Sequence, residues 1–319
     1  MHKSIRILAA LLLPLLFNCA AQAQDWPARP LRLVIPFGPG TSIDAMGRVL
    51  ATRLGAELGQ PVVVDNRAGA SGILGADVVA KAAPDGYTLL LGSSSVFALN
   101  PVTFAKLPYD VTKSFAPVTL VGSQALVVAT STKVPVKNLT ELVSLAGARP
   151  GALTAGTLGS FHALALQHFA TTTQTRILNV PYKNGTMLAL VSGEIDMLID
   201  VFALVMPQSK AGKVNALAVT TPQRSPVAPE LPTVAELGYP GFDISAWTAL
   251  VGPADMPRAI VDRLNRAVAK IITSPDFADQ FAAQGIRMAP TTPEQLGEHM
   301  RRELGHWQKV ARDAGITPQ

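Results

Sequence analysis

Three apolar runs separated by two helical periodicities open the body of the chain, and this order constrains the fold more than any single residue does. Leu31 to Phe37 (LRLVIPF) reads as a buried strand, and Ser42 to Leu58 as an amphipathic helix with Ile43, Met46, Leu50, Leu54 and Leu58 on one face. Gln60 to Asn66 (QPVVVDN) is a second strand, Ile73 to Ala82 a second helix, and Gly86 to Ser94 (GYTLLLGSS) a third strand. A β-α-β-α-β succession of near-continuous Val, Leu and Ile strands belongs to a parallel sheet covered by helices on both faces.

The same grammar restarts downstream. SQALVVATS, GALTAGT, TRILNVPY and VNALAVTT read as strands, NLTELVSLAGA and Ser160 to Phe169 as helices, and TMLALVSG with EIDMLIDV fills the gap between the later strands. Two α/β units joined by the apolar segment near Pro117 to Val128 imply two lobes, with the Pro-rich stretch from Thr220 to Asp243 as the return path. The last helices, Pro257 to Thr273 and Pro293 to Ala314, are expected to pack back on the first lobe. The expected division is 24–123 plus 246–319 for lobe 1 and 124–245 for lobe 2.

Residues 1–23 stand outside this folding problem, because they are built like an export signal. Lys3 and Arg6 precede the apolar run Ile7 to Phe17, and Ala21-Gln22-Ala23 is a small-residue cleavage site before Gln24. The run is too short to span a membrane, so the mature chain is expected to be exported. Cys19, the single cysteine, would leave with the signal, since Asn18 and Phe17 are poor neighbours for a lipidated cysteine. Stability must then come from the core rather than from disulfides. Removing Lys3 and Arg6 leaves 25 Lys and Arg against 22 Asp and Glu. The bases are scattered, with no basic stripe interleaved with aromatics, which argues against a nucleic-acid partner.

Two turns have the composition to carry chemistry. In an open parallel sheet, ligands bind beyond the carboxyl ends of strands, where free N–H groups of the next helix are presented. Phe37, Gly38, Gly40, Thr41 and Ser42 form such a turn, and Thr41 with Asp44 is spaced as a capping box. Thr157, Gly159, Ser160, Phe161 and His162 form its counterpart in the second unit, with Ser160 placed to cap the helix. Either turn also reads as a plain connection. Ser93 and Ser94 end the third strand, as ligand hydroxyls or as caps. His162 is a ligand donor or a packing residue, and Asp200 reads a ligand ammonium or caps backbone N–H groups.

Nucleotide and catalytic signatures are missing from these turns. There is no GxGxxG, no GxxxxGK[ST], no Gly-x-Ser-x-Gly elbow and no zinc-ligand spacing, so no catalytic residue, cofactor or metal is assigned. Ser160 and His162, two apart at a helix start, would not face each other as a triad with Asp200 requires.

Several segments in order carry a resemblance across nearly the whole mature chain: WPARPLRLVIPFGPG, LGQPVVVDNRAGASGILGADVVAKAAPDGYTLLLGSSS, NPVTFAKLPYD, VPYKNG, GKVNALAVTTPQR, LPTVAELGYPGF and LNRAVAKIITSPDF. They resemble the Bug family, the TctC-like solute receptors of tripartite tricarboxylate transporters. The resemblance implies a type II periplasmic-binding-protein fold, in which two α/β lobes close on a small carboxylate held largely by backbone groups and waters. The matching loops are Phe37 to Ser42 and Thr157 to His162. It also implies delivery to a large and a small membrane permease subunit, by a receptor expected to be monomeric.

This chain departs from the family pattern at the site itself. Thr41 stands where a second glycine is usual. In the second loop the usual pattern is Gly-Ser-x-x-His-Leu-Ala-x-Glu, whereas here Ala163 occupies the His position, His162 precedes it and Gln167 replaces the Glu. The segment after Pro181-Tyr182-Lys183 is about two residues shorter than usual, a comparison by resemblance. The terminal aspartate of IDMLID is kept as Asp200. The ligand is therefore not carried over from any relative. Two competing classes remain, an exported α/β serine hydrolase using Ser160 or one of Ser93 to Ser95, and a receptor that signals to a membrane sensor when loaded.

Overall fold

The computed structural model describes residues 26–313, 315, 316 and 318. The expected export signal, its cleavage site and Cys19 lie outside the described residues. The first β-α-β-α-β unit forms as its pattern predicts: β1 (Leu31–Ile35), α1 (Ser42–Leu58), β2 (Val62–Asn66), α2 (Ile73–Ala80) and β3 (Thr88–Ser93). β1 lies between β2 and β3 and is parallel to both. Helix α1 stops at Gly59, whose φ of 74° lets its N–H return to the Gly55 carbonyl at 3.0 Å.

The remaining strands are organised by one long strand, β4 (Phe115–Ser131). From Phe115 to Ala125 it pairs antiparallel with β9 (Ser245–Pro253), which in turn pairs with β3. From Leu126 onward it changes partners to β7 (Met197–Val201) and β8 (Val214–Val219). β5 (Thr154–Leu158) lies parallel to β6 (Leu178–Tyr182) and to β7, completing the second half-sheet. The sequence pattern placed this strand only from Ser123. Pro117 hides its start, and the structure accommodates that proline at a register shift between Pro117 and Thr119.

Helices cover both faces. Leu33 and Ile35 of β1 and Leu50 and Leu54 of α1 pack with Leu264 and Val268 of α8 (Arg258–Ile272), the helix numbered after α3 (Asn100–Thr103), α4 (Leu139–Ala148), α5 (Gly159–Thr172), α6 (Thr186–Ser192) and α7 (Phe202–Lys210). On the opposite face Val34, Leu90, Phe97 and Trp247 join Phe169 of α5 and Trp307 of α10 (Pro293–Asp313) in one cluster. The C-terminal helix packs on β4 and also on α5 of the second unit, where Trp307 meets Phe161 and His168, not only on the first lobe as the pattern suggests. Trp307 is 1% exposed, and burying a side chain of that size contributes about 2–3 kcal/mol or more. α9 (Pro275–Ala282) and β10 (Ile286–Met288), which pairs with Gly122 to Gln124 of β4, are too short for a periodic signal.

Candidate ligand site

The β1–α1 turn is held in shape by one buried carboxylate. Asp44, 3% exposed, accepts the Gly40 N–H at 2.9 Å, the Asn66 amide at 2.9 Å and the Arg48 guanidinium at 3.0 Å. The same Asn66 amide donates to the Phe37 carbonyl at 3.0 Å, tying the turn to β2. Arg48's hydrogen bond outweighs the burial of Asp44 and, with Gly40 and Asn66, lowers its pKa to about 2. Thr41 is the N-cap: its Oγ1 accepts the Asp44 N–H at 3.4 Å and donates to the Gly38 carbonyl at 3.0 Å. The expected capping box is therefore displaced by one residue, because Asp44 takes the Gly40 N–H rather than that of Thr41.

What this leaves open is informative. A Cβ built on Gly38 or Gly40 meets nothing within 4 Å, so the turn borders free space. The N–H groups of Thr41, Ser42 and Ile43 have no acceptor among the described residues. Thr41 and Ser42 are both exposed, and Phe37 is half-buried against the central apolar cluster.

The second turn is similar in backbone and different in side chains. Gly159, at φ 69°, begins α5 and also borders free space, and its N–H and that of Phe161 find no acceptor among the described residues. Ser160 lies in the first turn of the helix, and Leu158 occupies the cap position expected for Ser160. Thr157 is buried, with its hydroxyl donating to Asn179 Oδ1 at 2.7 Å. Phe161 packs on the same cluster as Phe37, edge-on to Trp307 at 6.3 Å.

His162 and Asp200, 38 positions apart, meet at 3.1 Å through Nε2 and Oδ1. The other imidazole nitrogen, Nδ1, lies 2.7 Å from the Leu158 carbonyl. Asp200 Oδ1 also accepts the Val201 N–H at 2.7 Å, so the capping role expected for Asp200 is present beside the pairing with His162. Burial alone would lower the His162 pKa, but the hydrogen bond and charge of Asp200, with the Leu158 carbonyl, raise it.

Ser93 ends β3 with its Oγ buried and without a hydrogen-bond partner among the described residues. Ser94 is 2% exposed and makes no capping bond to the π-turn Ser95–Leu99 that follows. Strand β4 places these groups relative to each other. Ser93 sits opposite Thr248, which sits opposite Gly122, while Asp200 sits opposite Val127. Five residues of strand separate the two levels by on the order of 17 Å.

A third loop was not assigned a role from sequence. Gly69, Ala70, Ser71 and Gly72 all have positive φ, at 136°, 46°, 55° and 89°. A Cβ on Gly72 would come within 2.9 Å of Val96 and 3.5 Å of Phe37, so this loop sits between the first turn and the π-turn. Two non-glycine residues held left-handed are strained, and such strain is concentrated at ligand clamps. The Ser71 carbonyl is gripped by Asn100, itself 2% exposed, at 3.1 Å. The available signal was a second small-residue strand-to-helix loop, AGASG, at the same sheet end.

A separate cavity of about 430 Å³ follows the α1–β2 turn, and one of about 630 Å³ opens where the half-sheets join. The latter is walled by Asp243, Trp247, Arg287, His299 and Arg302. None of the residues expected from sequence lines either, and their walls are strands, mid-helix positions and loops rather than the two helix N-termini.

Comparison with known proteins gives the family and the fold. The model of the family described as tripartite tricarboxylate transporter family receptor matches residues 46–316. Protein BugT of Bordetella pertussis is 39% identical over 298 residues, covering 92% of this chain and 91% of BugT. Among solved structures, R. palustris Rpa4515 with adipate superposes with a TM-score of 0.80 at 34% identity, over 92% of this chain and 100% of that one. MatC (Rpa3494) from Rhodopseudomonas palustris with bound malate gives 0.74 at 30%, over 89% and 99%. Its α/β architecture is that of these solute-binding proteins, and among the described residues no helix is long and apolar enough to cross a membrane. The chain belongs to the tripartite tricarboxylate transporter receptor family, the TctC or Bug type of solute-binding receptor.

Proposed function

We propose that this protein is a periplasmic receptor that captures a small carboxylate between two lobes and delivers it to the large and small membrane subunits of a tripartite transporter. The lobes are 24–123 with 246–319, and 124–245; the change of β4 partners at Ala125 and Leu126 supports that division. The observation that carries the reading is the pair of strand-to-helix turns, Phe37 to Ser42 and Thr157 to His162: Gly38, Gly40 and Gly159 border free space, and the N–H groups of Thr41, Ser42, Gly159 and Phe161 have no acceptor among the described residues. Ser93 and Ser94 form the side wall, and Asp200 supports the second turn. The adipate and malate of the solved relatives fit the same chemistry.

Energetics favour capture by both turns together. A helix dipole contributes about 0.3–1 kcal/mol, whereas micromolar binding needs about 8 kcal/mol. Several charge-assisted N–H bonds of about 1.5–3 kcal/mol each must form at once. At the middle of that range the three N–H groups of the first turn, those of Thr41, Ser42 and Ile43, supply about 7 kcal/mol, which falls short, and closure of two lobes supplies the rest. A thermal-shift screen of mono-, di- and tricarboxylates tests this. A true ligand at about 100 times its Kd adds about 2.7 kcal/mol, and a complete absence of stabilisation would sink the reading.

The competing hydrolase is disfavoured by His162. Both of its nitrogens are engaged, one by Asp200 and one by the Leu158 carbonyl, so neither is left to activate a serine. Stoichiometric labelling of Ser160 or Ser93 by a covalent serine probe would reverse that judgement.

A further inference from the structure

We propose that His162 is a specificity residue: held as an imidazolium, it cancels the charge of Asp200 and directs the site toward carboxylates that carry no amino group. This rests on the receptor reading above. The starting point is a count of protons. The Leu158 carbonyl can only accept, so Nδ1 at 2.7 Å must carry a hydrogen. A carboxylate oxygen accepts, so Nε2, at 3.1 Å from Asp200 Oδ1, carries one too. An imidazole with hydrogens on both nitrogens is a cation.

The pair is well enough enclosed for this to matter. The two side chains are 16% and 7% exposed, and Asp200 Oδ1 already accepts the Val201 N–H at 2.7 Å. Asp200 is therefore neutralised from its own lobe. A ligand ammonium approaching that carboxylate would come up against the imidazolium beside it, two like charges within a few ångströms in a partly desolvated place. A ligand carboxylate meets the opposite field: the N-terminus of α5 and an imidazolium in its first turn both attract an anion. The ligand class that follows is a small dicarboxylate, plain or hydroxylated, in preference to the α-amino acid of the same length.

Matched pairs test the idea: succinate against aspartate and glutarate against glutamate, titrated calorimetrically into the full mature protein. The unsubstituted member of at least one pair is expected to bind at least about tenfold more tightly. His162→Gln retains a neutral donor and should shrink that ratio toward one or invert it, as Asp200 regains its charge. The double variant His162→Gln with Asp200→Asn should restore the preference. A wild-type protein that binds the amino acid as well as its partner, or a ratio unmoved in His162→Gln, overturns the proposal.

Nitrogen-15 NMR of the His162 ring in ligand-free protein at neutral pH gives an independent reading. Signals of a singly protonated ring would overturn the proposal whatever binds. A doubly protonated ring in a protein that no carboxylate stabilises would instead remove the receptor reading, and this assignment of specificity with it.

Discussion

Thr220 and Leu126 are hydrogen-bonded in both directions: the Thr220 N–H donates to the Leu126 carbonyl at 3.0 Å, and the Leu126 N–H donates to Thr220 Oγ1 at 3.0 Å. The same hydroxyl donates to the Ile244 carbonyl at 2.6 Å, and the Ile244 N–H returns to the Thr220 carbonyl at 3.0 Å. Three strands of chain that pass between the half-sheets are thus fastened at one wholly buried residue. Thr220→Val keeps the shape and strands the Leu126 N–H and the Ile244 carbonyl. It should destabilise the fold by about 1–3 kcal/mol in urea denaturation, while Thr220→Ser should retain most of the stability. Equal losses in both variants would show that packing, not the hydroxyl, matters here.

Ser93 invites the opposite pattern. Its buried Oγ has no partner among the described residues, so Ser93→Ala removes an unpaired polar atom and should be neutral or slightly stabilising. If that hydroxyl completes its bonding on the ligand, the same variant loses about 1 kcal/mol of binding, or about fivefold in Kd. Calorimetry with the tightest carboxylate found in the screen reads the second effect, and denaturation the first. Lost stability with unchanged affinity would assign Ser93 to the core.

Much of the fold was legible because its signals are periodic. The β1–α1–β2–α2–β3 order follows from strand-length apolar runs and the α1 stripe from Ile43 to Leu58. What escaped lacks a period: the start of β4 is masked by Pro117, and α9 and β10 are too short. At the site, the loops could be picked out as small-residue turns at strand ends, but the partners of their side chains could not. His162 and Asp200 lie 38 residues apart, and only tertiary folding shows that they satisfy each other. Gly69 to Gly72 went unassigned because left-handed φ at Ala70 and Ser71 has no reliable sequence signal.

Asp44 should govern the shape of the first turn. With a folded pKa of about 2 against 3.8, its ionisation contributes stability that is present above pH 3.8 and lost as pH falls through about 2. The difference corresponds to about 2 kcal/mol at most, less what the half-exposed Arg48 loses to solvent screening. Asp44→Asn should remove about 1–2 kcal/mol at neutral pH and weaken carboxylate binding, since Gly40 loses its anchor. A variant with intact affinity would mean that the turn holds its shape without Asp44.

Acid titration should also reveal the histidines beside the C-terminal helix. His168 stacks on Phe242 with centroids 5.0 Å apart, and burial, then the charges of His306 and Lys309, lowers its pKa to about 4. Burial, then Arg302, lowers His299 to about 4 as well. Between about pH 4 and 6.5 the unfolded chain holds more protons at these two positions, so their contribution to stability grows as pH rises. Asp243 acts in the other direction. Burial, then Glu303, raises its carboxyl to about 6, so the folded state holds the extra proton and its contribution falls from about pH 4 to 6. Burial also raises the nearby Glu303 and lowers His306, so wild-type stability alone sums opposing slopes and single variants are needed. Relative to wild type, His168→Phe should gain stability at about pH 4.5 and little at about pH 7.5, whereas Asp243→Asn should gain at about pH 7.5 and little at about pH 4.5. Melting temperatures across that range check both, and a His168→Phe difference that does not vary with pH would mean that His168 is not buried neutral.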